Sequence, residues 1–124
     1  MINLAISVPG KFYTDAITKA LEKTGNFRIS PLEGGSRDEL YHSELDVALL
    51  GVSVHQGYTL KERQKNIQQL RECAPNCKIV LFLDEVVSPE QTNGVKSLKQ
   101  ARLIDGFLYA SGTMEYLVAT LESI

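Results

Sequence analysis

Five short apolar runs, each followed by a stretch of helical period, constrain this chain more than any other feature of it. Ile2–Val8 reads as a first strand, stopped by Pro9-Gly10. From Lys11 the period changes: Phe12, Ala16, Ile17, Ala20 and Leu21 share one helical face, and Gly25 follows as a stop. Phe27–Ser30 is a short second strand, then Pro31 to Ser36 form a loop whose Ser36 caps a short helix over Arg37–His42. Leu45–Val52 is almost wholly apolar, as suits a central strand covered on both faces. Thr59 and Glu62 form a capping box for a helix that ends near Glu72 and carries Leu60, Ile67, Leu70 and Cys73 on one face. Lys78–Leu83 is the fourth strand. Ser88-Pro89-Glu90-Gln91 is a second capping box, and Asn93-Gly94 predicts a kink in its helix or a late start to it. Gly106–Tyr109 is the fifth strand, and Ser111 or Thr113 caps a last helix striped by Met114, Leu117, Val118, Leu121 and Ile124.

Strand and helix alternating five times imply parallel pairing, right-handed crossovers and helices on both sheet faces. The expected architecture is α/β, a flavodoxin-like three-layer sandwich with a five-stranded parallel sheet in order 2-1-3-4-5. The 124 residues suit a single domain spanning 1–124. Ligands on such sheets sit outside the carboxyl ends of the strands. Here that edge holds Ser7-Val8-Pro9-Gly10, Gly51-Val52-Ser53, Leu83-Asp84-Glu85 and Ala110-Ser111.

Composition narrows the partners. A net charge of −2 argues against direct binding of nucleic acid. The longest apolar run, Ile79–Leu83, falls far short of the roughly 20 residues that span a bilayer. No charged region precedes the first apolar stretch, so no secretory signal is expected. Two cysteines are no disulfide scaffold and fit a reducing cytoplasm.

Few residues suggest chemistry. Val8-Pro9-Gly10-Lys11 only resembles a fragment of a phosphate-binding loop, and no Gly-x-Gly-x-x-Gly follows the first strand. Gly34-Gly35-Ser36-Arg37 reads as a turn and a cap rather than an anion cradle. Cys73 and Cys77 lack the paired spacing of a zinc site and read as small core hydrophobes, so no metal or cofactor is expected. Ser7 or Ser53 with His55 has no orienting acid except Asp84, so nucleophilic catalysis is not expected. Asp84-Glu85 reads as a solvated loop, and Lys61-Glu62-Arg63-Gln64-Lys65 as the outer face of a helix.

The chain resembles the receiver domain of bacterial response regulators. Leu45-Asp46-Val47-Ala48-Leu49-Leu50-Gly51-Val52 is similar to that family's third strand, and Asp105-Gly106-Phe107-Leu108-Tyr109-Ala110 to its fifth. The resemblance implies a magnesium-holding acidic pair after strand 1, where this chain has Ser7, Val8 and Pro9. It implies a phosphoacceptor aspartate ending strand 3, where Gly51 stands. The family's Met-Pro falls at Val54-His55, its hydroxyl residue at Leu83 or Asp84, and its lysine at Ala110, whereas its switch aromatic matches Phe107. Magnesium needs carboxylate oxygens and a phosphoryl group needs an acceptor, so the family chemistry is not expected here.

The expectation is therefore a pseudo-receiver, not an enzyme, that acts in signalling through contact with a protein partner or a second copy. In the family, the helix after strand 4, strand 5 and the last helix often carry such contacts. By resemblance the interface residues are Lys96, Lys99, Arg102, Phe107, Tyr109, Glu115 and Tyr116. The alternative is a small-molecule or nucleotide sensor at the strand-edge crevice, using Ser7, Ser53, His55 and Asp84.

Overall fold

The computed structural model describes residues 1–31, 44–84 and 86–124. The expected Arg37–His42 helix, its Ser36 cap, the Gly34-Gly35 turn and Glu85 lie outside the described residues. The elements are β1 (Ile2–Ser7), α1 (Lys11–Glu22), β2 (Phe27–Pro31), β3 (Val47–Val52), α2 (Leu60–Cys73), β4 (Lys78–Leu83), α3 (Pro89–Gln100), β5 (Gly106–Tyr109) and α4 (Met114–Ser123). All four strand pairs are parallel, in the order β2-β1-β3-β4-β5. The sheet is thus the flavodoxin-like one that the alternation of periods predicts.

Two apolar layers hold it together. Above one face, Leu50, Val52, Ile79, Leu81 and Leu83 pack against Leu60, Ile67 and Leu70 of α2 and Val95 and Leu98 of α3. Below the other, Leu4, Ile6, Leu49, Val80 and Phe82 meet Ile17 and Leu21 of α1 and Leu117 and Leu121 of α4. Every residue of β3 is buried, as befits the central strand. Among the described residues no helix is long and apolar enough to cross a membrane.

Three local expectations need correction. Phe12 is 80% exposed rather than part of the inner face of α1. Thr14, Ile17 and Leu21 define that face, and a residue two positions before Thr14 points nearly opposite. α3 runs unbroken through Asn93-Gly94, because Gly94 lies where α3 meets α2. A Cβ there would stand 2.5 Å from Leu60 Cδ2. Finally, both capping boxes form by only one half. Thr59 Oγ1 accepts the Glu62 N–H at 3.4 Å and Ser88 Oγ accepts the Gln91 N–H at 3.2 Å. Gln91 does not turn back to its own cap: its Oε1 accepts the Leu60 N–H at 3.0 Å, so α3 caps the first turn of α2.

Candidate functional site

The carboxyl edge of the sheet is where this fold places its chemistry, and here it is filled with protein. β1 ends at Ser7, whose neighbour Val8 turns inward at 4% exposure. Pro9 and Gly10 then lead into α1, and Gly10, at φ 90°, adopts a backbone conformation costly to any residue with a Cβ. This turn lies directly against Gly51. A Cβ on Gly51 would stand 2.6 Å from Pro9 Cδ, 2.9 Å from Val8 Cα and 3.2 Å from Val8 Cβ. Carbon pairs rest at about 3.5–4.0 Å. Gly51, the position that the resemblance aligns with the acceptor, therefore has no room for a side chain without a shift of this turn.

The opposite face of the edge is filled by Arg63, and here the expectation of a solvated helix surface is corrected. Arg63 is 3% exposed. It falls on the inner stripe of α2 with Leu60, Ile67 and Leu70. Its Nε donates to the Gly51 carbonyl at 2.8 Å. Its Nη2 donates to the Ser7 carbonyl at 2.6 Å and to Ser7 Oγ at 3.0 Å. Its Nη1 donates to Asn66 Oδ1 at 3.2 Å. The Tyr58 ring covers the guanidinium at 5.0 Å, a cation–π contact. A planar fork of donors suits such a site, because it meets several fixed acceptors at once and stays charged.

The other expected site residues divide into buried and open ones. Ser7 is 6% exposed and committed to Arg63; Ser53 is fully buried, its Oγ accepting the His55 N–H at 3.1 Å. His55 is exposed. Pro9, Asp84 and Ala110 do come together, with Tyr13, Val52 and Phe82, around a cavity of about 10 Å³. That is about the least space that admits one water. A second cavity, about 30 Å³, lies beside it between Tyr13, Tyr109, Met114 and Tyr116. Neither approaches the roughly 300 Å³ of a small-molecule pocket.

The magnesium ion implied by the resemblance does not fit these residues. Ser7 and Gly51 replace its carboxylates, a guanidinium lies against both, and a cation beside a cation is disfavoured. Among the described residues, no group of three or more His, Cys, Asp or Glu side chains could hold a metal. Cys73 and Cys77 are free thiols; burial pushes the Cys77 thiol up to about 12, which makes it a poor nucleophile.

Of the expected interface residues, Lys96, Lys99, Arg102, Tyr109, Glu115 and Tyr116 are exposed and Phe107 is half-buried. Phe107 meets Tyr109 edge to face at 5.8 Å. Lys99 Nζ donates to the Asp105 carbonyl at 2.8 Å, tying α3 to the start of β5.

No protein-family model matches the sequence, and no curated protein matches it either. Solved structures do. The chain is similar to a response regulator from Thermotoga maritima at 14% identity and a TM-score of 0.75, covering 99% of this chain and 96% of that one. It is similar to a LuxR-family DNA-binding response regulator from Staphylococcus aureus at 17% identity and 0.76, covering 99% and 98%. It also matches a member of a family of redox sensors in the streptococci, evolved from two-component response regulators, at 18% identity and 0.78. That match covers 99% of this chain but 50% of the other. At these identities the likeness establishes architecture, and the architecture is that of response regulator receiver domains.

Proposed function

We propose that this chain is a pseudo-receiver: a signalling module that works by protein contact and without aspartyl phosphorylation. The observation that carries the reading is the contact of Gly51 with Val8 and Pro9. A receiver needs an acceptor carboxylate and a vacant pocket above it, and this edge has backbone in that space. In this reading the module is not an enzyme, and the packing against Gly51 supports that at this edge.

The contact surface in this reading is the face of α3, β5 and α4. Tyr109 and Tyr116, 47% and 63% exposed, supply its aromatic area, and Lys96, Lys99, Arg102 and Glu115 its charges. Tyrosine is a favoured anchor at interfaces because it carries large area at low entropic cost. The partner is a protein, either a second copy or another chain, and a cytoplasmic setting suits the two free thiols. The alternative of a nucleotide sensor has less support, since the crevice it requires is about 10 Å³.

Two measurements test this. Acetyl phosphate with magnesium should leave the intact mass of the protein unchanged; a stable gain of one phosphoryl group on an aspartate would end the proposal. Light scattering across a concentration series should show self-association that Tyr109→Ala and Tyr116→Ala weaken, or a monomer whose binding to its isolated partner they weaken. Binding that ignores both substitutions would move the interface elsewhere.

A further inference from the structure

We infer that Arg63 is a built-in cation that stitches the ends of β1 and β3 together and holds the sheet edge in one fixed conformation. The inference rests on the pseudo-receiver reading and goes beyond it, because it concerns whether the edge can switch at all. β1 and β3 are adjacent parallel strands whose carboxyl ends lie side by side here. The Ser7 and Gly51 carbonyls both turn to one guanidinium, at 2.6 and 2.8 Å. A single side chain thus spans β1 and β3 from a third element, α2. Charge-assisted bonds of this length are about twice as strong as neutral ones.

The loop above is arranged to keep the guanidinium in place. The Ser53 N–H donates to the Tyr58 carbonyl at 2.9 Å and the Tyr58 N–H to the His55 carbonyl at 3.1 Å. This closed turn sets the Tyr58 ring over Arg63. The helix that carries Arg63 is fixed in turn by Thr59 from below and by Gln91 from α3. A side chain 3% exposed, forked between two strands and roofed by a ring cannot leave without opening that turn. An edge whose cation is covalently part of the chain has no unloaded state. The module is accordingly monostable, and its partner surface does not wait for a signal at this edge.

Arg63→Lys keeps the charge but loses the fork, and Arg63→Met keeps the stem but loses the charge. Each is assayed by amide hydrogen exchange, after circular dichroism has established that it is folded. The edge reporters are the amides of Ser53 and Asp84, which bond to the Tyr58 and Val52 carbonyls. The reference amides are Asp46, Lys78 and Asp105, which bond at the other end of the sheet. Arg63→Lys should speed exchange at the edge by about ten- to a hundredfold, the range for losing hydrogen bonds to a charged group, with the reference amides unchanged. Equal acceleration at both ends would mean that Arg63 contributes only to global stability, and would overturn the inference. Unaltered exchange in folded Arg63→Lys and Arg63→Met would overturn it as well. In the wild type, relaxation dispersion at Ser53 and Asp84 should be flat; millisecond exchange there would refute a single fixed edge. Failure of the phosphorylation test would sink the pseudo-receiver reading and leave these exchange results standing, so the two are separable.

Discussion

Gly51→Ala is the sharpest test of how the sheet edge is built. The added Cβ would meet Pro9 Cδ at 2.6 Å and Val8 Cα at 2.9 Å, each about 1 Å inside an ordinary carbon contact. The proline ring is closed and the valine atom is backbone, so neither yields by rotating a side chain. The Val8-Pro9 turn must shift outward, and Val8, 4% exposed, is itself part of the lower core. Overpacking of one methyl in such a place costs about 1–3 kcal/mol. Alanine gains about 0.5–1 kcal/mol over glycine in a strand, which offsets part of it. The net expectation is a loss of about 1–2 kcal/mol. At this chain length that corresponds to a fall in Tm of roughly 3–10 °C. Urea unfolding should show a lower midpoint at constant slope. Pro9→Ala removes the nearest atom, so the double variant should recover part of the loss, a coupling of about 0.5 kcal/mol or more. Gly51→Ala within about 0.5 kcal/mol of wild type, or strict additivity with Pro9→Ala, would refute the claim that the turn fills the acceptor position.

Asp105→Ala leaves the buried Ile79 N–H without the 2.8 Å acceptor it now has and removes the 3.1 Å ion pair with Arg71, so chemical unfolding should register a loss of about 1–3 kcal/mol. Cys77, its thiol pushed up to about 12 by burial, favours the protonated folded state; its contribution should be complete below about pH 9 and fall away as pH rises towards 12. Cys77→Ala should flatten that alkaline decline in a pH series of thermal melts. Arg102 sits at φ 61° just past α3, so Arg102→Gly should cost nothing or gain up to about 1 kcal/mol in a melt, which makes it a clean variant for testing partner binding. Ser7→Asp, aimed at a guanidinium whose Nη2 is 3.0 Å from Ser7 Oγ, should form an ion pair and show no magnesium-dependent rise in Tm; a rise would mean that the edge accepts a metal after all.

Much of the fold was legible because hydrophobic period is a strong signal. The apolar runs at Ile2–Val8, Leu45–Val52 and Lys78–Leu83 became β1, β3 and β4, and their spacing by helices left parallel pairing as the natural outcome. What sequence pattern missed was everything that depends on how elements meet. Asn93-Gly94 reads as a break in isolation, yet glycine is what the approach of Leu60 requires. Gln91 reads as half a capping box, yet it caps a different helix. Arg63 was the costliest omission, lost within a run of charged residues. Its position was readable, three after Leu60 and four before Ile67 on the stripe that faces the sheet. An arginine on an apolar stripe needs acceptors, and the strand ends beneath the first turn of α2 supply two of them, the Ser7 and Gly51 carbonyls.

On the proposed reading, an edge that lacks the acceptor carboxylate would be left with a hole, and buried polar groups around a hole need partners. Here the hole is closed from three sides: by the Val8-Pro9 turn against Gly51, by Arg63 against Ser7 and Gly51, and by Tyr13 and Phe82 around the small cavity beside Asp84. Each closure makes the others harder to undo. An aspartate at position 51 meets the turn, and one at position 7 meets the guanidinium. Loss of Arg63 alone takes a donor from each of the Ser7 and Gly51 carbonyls. The parts are in contact and share partners, so their energies are expected to couple, and no single substitution should make the edge accept a metal or a phosphoryl group. Packing of this sort is a physical reason for such an edge to stay silent, and it is why the proposed function turns to the outer face of α3, β5 and α4 as its contact surface.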